Sequence, residues 1–178
     1  MDAAPPADAR WRALIREVPD FPQPGVLFRD ITPRLHDPAA LRSANDALAA
    51  QVATFGATVV AGIEARGFIF GVAVAERLRL SFIPVRKPGK LPTAAASVSY
   101  ALEYGSGALE AHLDPSIAGE RVVIIDDVLA TGGTAAAAAR LLEQLGATCA
   151  GYGFLLELTA LGGRAWLGTP PITALLRY

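Results

Sequence analysis

The segment RVVIIDDVLATGGT, residues Arg121–Thr134, carries the strongest structural signal in the chain. Its apolar run Val122–Ile125 does not alternate with polar residues, which is typical of a strand buried on both faces of a parallel sheet. Asp126 and Asp127 follow at the predicted carboxyl end of this strand, where open α/β sheets bind their ligands. The next five residues, Ala130–Thr134, are small and open an Ala-rich helical pattern. Unpaired N–H groups and the helix dipole favour a phosphate there, and we call these five residues the phosphate loop.

The phosphate loop matches neither G-x-x-x-x-G-K-[ST] nor G-x-G-x-x-G, so the usual nucleotide-binding motifs are excluded. Two acids beside a phosphate site instead predict a ligand that carries a phosphate, vicinal hydroxyls and a divalent cation.

The whole chain has 178 residues, enough for one domain with a sizeable core. Its formal net charge of −1 argues against a general nucleic-acid binder.

Several other classes are disfavoured by what the sequence lacks. No apolar run reaches the roughly 18 residues that cross a bilayer, and the acidic N-terminus lacks the apolar core of a signal peptide. Cys149 is the single cysteine, so no internal disulfide is possible and a reducing cytosol is favoured. His36 and His112 are isolated, so neither belongs to a cluster with the spacing of metal ligands.

Strand and helix patterns alternate through most of the chain, which predicts an α/β fold with a mostly parallel central sheet flanked by helices. The further strands are predicted at Thr58–Ile63, Ser81–Arg86, Cys149–Leu156 and Ile172–Leu176. Pro84 suggests that the second of these lies near an edge. A helix is predicted after Asp37-Pro38, with Gly56 as its stop. We also expect a half-buried strand at Ser97–Tyr104, because apolar and polar residues alternate there, with Ala108–Leu113 as its hairpin partner.

The N-terminal region gives a less regular pattern. Apolar spacing predicts a short helix that contains Trp11 and Val18 and ends at Pro19. Pro19–Pro33 is too rich in proline for regular structure, yet it carries apolar residues that must pack down. It is therefore either a strap over the core or a lid over a pocket.

Basic residues also lie where an anion could bind. Arg66 follows the predicted strand Thr58–Ile63 and precedes a helix, so it is either a solvated side chain or an anion ligand at a strand end. Lys87 and Lys90 lie in a loop of Gly, Pro and small residues that reads as long and mobile. They are either solvated or they give that loop a positive charge for a second phosphate.

The motif VVIIDDVLATGGT resembles the 5-phosphoribosyl 1-pyrophosphate (PRPP) motif of the type I phosphoribosyltransferases. FPQPGVLFRDITP, AGIEARGFIFG, RKPGKLP, YALEYG and LLELTALGGR are similar to stretches of the adenine-specific members of that family, and the likeness covers nearly the whole chain from about Phe21. The resemblance implies a single domain over residues 1–178, with residues 19–36 in a small base-binding hood and a flexible loop and hairpin. The clearest departure is TAAAS at Thr93–Ser97, where relatives often carry bulkier residues; it bears on loop closure more than on chemistry.

The resemblance implies the purine-salvage reaction of adenine with PRPP to give AMP and pyrophosphate, with Mg²⁺ as cofactor. The Mg²⁺ is expected to be held mainly by the substrate pyrophosphate and waters, with no dedicated cage of protein ligands. Implied partners are the two substrates, the two products and a second copy of the chain in a homodimer, with no nucleic acid or membrane. A cytoplasmic location and a cis non-proline peptide in the Glu64-Ala65-Arg66 loop are also implied.

The resemblance assigns site residues in three groups. Those with catalytic roles are Glu103, Tyr104, Asp126, Asp127 and Arg66. Those that bind PRPP are Arg66, Arg86, Lys87, Lys90, Asp126, Asp127, Ala130, Thr131, Gly132, Gly133 and Thr134. Those that bind adenine are Leu27, Phe28, Arg29 and Val128.

Two alternatives remain at this point. The first is a phosphoribosyltransferase for another purine, which FRDITP and the carboxylate of YALEYG disfavour. The second is a regulator that keeps the fold to sense PRPP but has lost catalysis. Such a regulator would carry a nucleic-acid-binding domain or a basic face, for which 178 residues and a charge of −1 leave little room.

Overall fold

The computed structural model describes residues 11–21, 23–93, 95–101, 106–113 and 115–178. The chain divides into two units, Met1–Ala47 and Leu48–Tyr178, which we call unit 1 and unit 2. In chain order, the elements are β1 (Arg16–Pro19), β2 (Leu27–Asp30), α1 (Thr32–Leu35), α2 (Pro38–Val52), β3 (Val59–Ile63), α3 (Gly67–Leu78), β4 (Ser81–Val85), β5 (Ala95–Ala101), β6 (Ser106–His112), β7 (Arg121–Leu129), α4 (Gly133–Gln144), β8 (Thr148–Glu157) and β9 (Ile172–Arg177).

Unit 1 contains an antiparallel hairpin that the sequence patterns missed. β1 pairs with β2 from Arg16 opposite Asp30 to Pro19 opposite Leu27. The prediction of a helix continuing to Val18 was therefore wrong, as was the prediction of irregular structure throughout Pro19–Pro33. Two cross-strand ion pairs contribute to this pairing, since Arg16 binds Asp30 and Arg29 binds Glu17. These pairs join residues more than ten positions apart, which a local periodicity cannot reveal.

Unit 2 is built on a five-stranded sheet in the order β4-β3-β7-β8-β9. Every neighbouring pair in this sheet is parallel. The prediction of an α/β fold with a central parallel sheet is confirmed, and β4, which contains Pro84, lies at an edge as expected. The predicted helix after Asp37 is also confirmed: the Asp37 side chain accepts hydrogen bonds from the N–H groups of Ala39 and Ala40, and Gly56 adopts a φ of 65°.

β7 is the central strand of the sheet, and its first half is buried as predicted, with Val122–Ile125 fully covered. The strand continues to Leu129, however, so Asp126 and Asp127 lie within it rather than beyond its end. Pairing with β8 as far as Glu157 holds this extension in place, a tertiary contact that the local pattern could not show. α4 packs close to the sheet through its small buried side chains, Ala135–Ala139.

Two further features surround the end of the sheet. β5 and β6 form an antiparallel hairpin, as predicted, and a bridge between Arg86 and Glu110 connects β6 to the end of β4. After β8, a 3-10 turn at Thr159–Leu161 is followed by a second at Gly163–Trp166, which we call the GRAW turn. No helix within the described residues is both long and apolar enough to cross a membrane.

Candidate active site

An acid pair and an arginine form the centre of the site. The sheet places β3 beside β7, so the loop after β3 reaches the acids on β7. Arg66 Nε lies 3.0 Å from Asp127 Oδ2, and the Asp127 side chain is only 5% exposed. The structure thus brings Arg66 to an acid pair that lies about 60 positions later in the sequence.

The two acids lie side by side in a largely desolvated environment, with Asp127 buried and Asp126 partly buried. Burial, reinforced by the neighbouring charge of Asp127, raises the pKa of Asp126 well above its usual value. Burial also raises the pKa of Asp127, although the Arg66 guanidinium opposes that rise. The Asp127 N–H donates to Asp126 Oδ1 at 2.9 Å. Hydroxyl donors or a cation that entered here would therefore stabilise charges that burial disfavours.

The phosphate loop leads directly into α4, as the sequence predicted. α4 begins at Gly133, and the first N–H groups of a helix have no intrahelical acceptor, so they remain available to an anion. A small cavity of about 70 Å³ lies against the loop. The residues that line it are Asp126, Val128, Leu129, Ala130, Thr131, Gly132, Thr134 and Ala135.

The GRAW turn packs against the phosphate loop so closely that neither contact residue has room for a side chain. Gly132 has a φ of 84°, and a Cβ there would lie 2.4 Å from the Gly163 carbonyl oxygen. A Cβ on Gly163 would lie 2.2 Å from the Ala130 carbonyl oxygen. Sequence reasoning missed Gly163, although the glycine pair in LLELTALGGR was the available signal.

A larger cavity of about 490 Å³ adjoins the acids and the N-terminal end of α4. Its lining residues are Ile63, Glu64, Ala65, Arg66, Lys87, Tyr100, Leu109, Asp126, Asp127 and Thr134. Because Asp126 and Thr134 line both cavities, the acid pair lies between the phosphate loop and a second region that contains two cationic side chains, Arg66 and Lys87.

Glu64 organises the basic loop that follows β4. Its carboxylate accepts a hydrogen bond from the Lys87 N–H at 2.9 Å and pairs with Arg86 Nε at 3.3 Å. The hydrogen bond from Lys87, supported by Arg86, holds the pKa of Glu64 below its usual value. The Arg86 Nη1 donates to the Lys90 carbonyl oxygen at 2.8 Å, so Arg86 braces the loop. Lys90 is exposed and lies outside the set of described residues that line the cavity.

The peptide between Glu64 and Ala65 is cis, as the family resemblance implied.

Tyr100 on β5 is a site residue that sequence reasoning missed, because the alternation pattern assigned it only to the apolar side of its strand. Its hydroxyl accepts a hydrogen bond from Thr134 Oγ1 at 3.4 Å, at the start of α4. This contact links the hairpin to the phosphate loop.

The remaining predicted residues fall into three groups. Leu27, Phe28 and Arg29 lie on β2 in unit 1, where the Phe28 ring makes an edge contact with Phe21 at 5.1 Å. Val128 lies on β7 in unit 2 and lines the small cavity. Glu103 and Tyr104 lie outside the described residues. Within the described part of the chain, no group of three or more His, Cys, Asp or Glu side chains is placed to hold a metal ion.

Comparison with known proteins agrees with this geometry. The model of the phosphoribosyl transferase domain matches residues 33–160. An adenine phosphoribosyltransferase from Gloeobacter violaceus is 56% identical over 165 residues, which are 92% of this chain and 96% of that protein. The chain belongs to the adenine phosphoribosyltransferase family. Membership confirms the predicted family and identifies the chain as an enzyme, a transferase of purine salvage.

Solved structures in the family share the whole fold. The crystal structure of adenine phosphoribosyltransferase from Thermoanaerobacter pseudethanolicus has a TM-score of 0.92 and 46% identity, and the match covers 96% of this chain and 99% of that one. The Saccharomyces cerevisiae enzyme, complexed with D-2,5-dideoxy-2,5-imino-altritol 1,6-bisphosphate and adenine, has a TM-score of 0.89 and 38% identity, with 95% of this chain and 98% of that one covered. The predicted type I phosphoribosyltransferase fold is therefore confirmed.

Proposed function

We propose that the cavity at the acid pair performs the family's reaction in this chain, the transfer of the phosphoribosyl group of PRPP to adenine with release of pyrophosphate. One observation carries the proposal: Asp126 lines both the small cavity at the phosphate loop and the larger cavity, which Asp127, Arg66 and Lys87 also line. PRPP has the same order of groups, a 5′-phosphate, a ribose with two hydroxyls and a pyrophosphate.

The phosphate loop holds the 5′-phosphate in this proposal. Its amides from Ala130 to Thr134, with the hydroxyls of Thr131 and Thr134, supply donors at a helix N-terminus, where the helix dipole also favours negative charge. Asp126 and Asp127 accept hydrogen bonds from the ribose hydroxyls. Their negative charge also stabilises the oxocarbenium-like cation that develops at C1′ as pyrophosphate departs.

The leaving pyrophosphate is neutralised by cations on the other side of the acids. Arg66 and Lys87 line the cavity there, and Lys90 joins them when the basic loop closes over the ligand. In the same movement, Arg86 breaks its ion pair with Glu64 and binds the pyrophosphate instead. Closure excludes water, which would otherwise hydrolyse the developing cation.

Mg²⁺ fits the donors of this site. The carboxylates of Asp126 and Asp127 line the cavity, and oxygen is the ligand that Mg²⁺ prefers. When bound, the ion would supply positive charge to the departing pyrophosphate, and the oxygens of the pyrophosphate and waters would provide most of its ligands. Asp126 and Asp127 orient the ribose by accepting hydrogen bonds from its hydroxyls.

The adenine site is proposed from the family resemblance. Leu27 and Arg29 read the edge of the base through backbone groups, and Phe28 and Val128 cover the two ring faces. In this proposal residues 1–178 act as one domain, with residues 19–36 as part of its hood. Glu103 handles the proton of the base, and Tyr104 covers the reacting centre.

A cytoplasmic homodimer completes the proposal. The single cysteine, Cys149, suits a reducing compartment. Two apolar side chains on α3, Ile69 and Val72, are 40% and 51% exposed and lie one helical turn apart, which suits a surface covered by a second copy. Light scattering after gel filtration tests the assembly, and a monomeric mass at working concentration would contradict it.

The direct test of function is a panel of bases. The protein is incubated with PRPP, Mg²⁺ and adenine, hypoxanthine, guanine or xanthine in turn, and pyrophosphate release is followed. We expect release with adenine alone, and a loss of at least about a hundredfold in Asp127→Asn, the scale of removing one electrostatic stabiliser. Release with a 6-oxopurine in preference to adenine would refute the base assignment. Full activity in Asp127→Asn would refute the role of the acids.

A further inference from the structure

The GRAW turn connects the phosphate loop to a partly buried ion pair at the end of β8. Gly163 contacts the loop backbone, with no space for a Cβ on either Gly163 or Gly132. The next residue, Arg164, binds Glu157 through two hydrogen bonds, Nε to Oε1 at 2.7 Å and Nη2 to Oε2 at 2.8 Å. The contact that limits the position of the loop is therefore one residue away from a bidentate ion pair.

The surroundings make this pair a rigid anchor. The Glu157 side chain is only 4% exposed, and Glu157 is the last residue of β8, where it is paired with both β7 and β9. The Arg164 Nη1 also donates to the Ile172 carbonyl oxygen at 3.2 Å, so the guanidinium fixes the turn to two strands. Because the planar guanidinium of Arg164 makes two hydrogen bonds to the Glu157 carboxylate, its orientation is restrained as well as its distance from Glu157.

We propose that Glu157 and Arg164 are positioning residues for the 5′-phosphate: they hold Gly163 behind the phosphate loop and so keep the loop amides aimed at the ligand. This inference rests on the proposed function, in which the loop binds that phosphate. Neither side chain touches the ligand. Their effect passes through the backbone contacts of Gly163 with Ala130 and Gly132.

The chain offers a matched control for the anchor. Glu157 has a second cationic partner, Arg177 on β9, whose Nε lies 3.2 Å from Oε2. Arg177 lies outside the GRAW turn, opposite Glu157 in the β8–β9 register. Arg177→Gln therefore removes a cation from the same carboxylate and leaves the turn attached. Arg164→Gln removes the attachment, and Arg164→Lys keeps the charge without the bidentate fork.

The experiment measures the affinity of each variant for three ligands, namely AMP, PRPP with Mg²⁺, and pyrophosphate with Mg²⁺. AMP and PRPP carry the 5′-phosphate, whereas pyrophosphate does not occupy the phosphate loop. We expect Arg164→Gln to weaken AMP and PRPP about tenfold or more, with pyrophosphate changed less than about twofold. Arg164→Lys should give a smaller loss, and Arg177→Gln should match the wild type for all three ligands.

Two outcomes would overturn the inference. One is an Arg164→Gln variant, or Arg164→Lys if the first does not fold, that binds AMP as the wild type does. The other is an equal loss of AMP affinity in Arg177→Gln. Thr134→Val separates these failures from a failure of the proposed function. If Thr134→Val also leaves AMP affinity unchanged, the loop is not the phosphate site; if it weakens AMP while Arg164→Gln does not, only the positioning role fails.

Discussion

A single methyl group on Gly163 should displace the phosphate loop. In Gly163→Ala the new Cβ would lie 2.2 Å from the Ala130 carbonyl oxygen and 2.9 Å from Leu129 Cδ1, whereas ordinary contact begins at 3.4 Å. The carbonyl is backbone and cannot rotate aside as a side chain would, so the two segments must separate by about 1 Å. The movement is borne by the loop, because Arg164 fixes the turn to Glu157.

A shift of about 1 Å in a positioning element can cost about a hundredfold in rate, which corresponds to about 2.7 kcal/mol of transition-state stabilisation. We therefore expect kcat/KM for PRPP to fall by about that factor in Gly163→Ala. The assay is the initial rate of pyrophosphate release with PRPP varied at saturating adenine. Differential scanning fluorimetry of the same samples reports whether the variant is folded.

Gly162→Ala is the control. Gly162 has a φ of +64° and nothing within 4 Å of its would-be Cβ, so alanine there strains the backbone without meeting the loop. We expect it to cost about 1 kcal/mol of unfolding free energy, or about 2–4 °C in Tm, with kcat/KM retained. Wild-type kinetics in Gly163→Ala, or the same kinetic loss in both variants, would refute the contact as a determinant of loop position.

Three further predictions concern the cavity lining. Lys87→Ala should raise the KM for PRPP and leave AMP binding unchanged, because AMP lacks the pyrophosphate; equal losses for both ligands would contradict the assignment. Tyr100→Phe removes the acceptor for Thr134 Oγ1 and should raise the KM for PRPP a few-fold with Tm nearly constant, so an unchanged KM counts against the link. Asp126 has a raised folded-state pKa, so its contribution lowers stability as pH rises above 3.8. Asp126→Asn should lose activity, yet its unfolding free energy relative to wild type should increase as pH rises above 3.8, and a difference that does not change with pH would contradict the buried charge.

The sheet was predictable where local pattern and final environment agree. Val122–Ile125 is apolar without alternation because both faces of β7 are buried, and the small residues of α4 allow the helix to approach that sheet. The β1–β2 hairpin was not predictable in this way. It depends on charge pairs between residues such as Arg16 and Asp30, whose partners only the folded chain brings together.

The residues of the site can be divided in the same way, into those that a local sequence pattern reveals and those that only tertiary contacts reveal. Asp126, Asp127 and the phosphate loop lie in one continuous motif, so the sequence alone predicted that they belong to one site. Tyr100 and Gly163 belong to the site through tertiary contacts, and a periodicity classifies them only as an apolar strand residue and a turn residue. Arg86 was expected to bind the ligand, and in this structure it braces the basic loop against Glu64.

The central claim is that one ligand spans the phosphate loop, the acid pair and the basic side of the cavity. A crystal structure with PRPP and Mg²⁺ bound tests it most directly. We predict the 5′-phosphate within about 3 Å of the amides of the phosphate loop, the ribose hydroxyls on Asp126 and Asp127, and the pyrophosphate beside Arg66 and Lys87. A 5′-phosphate bound away from residues 130–134, with the loop amides facing solvent, would contradict the account.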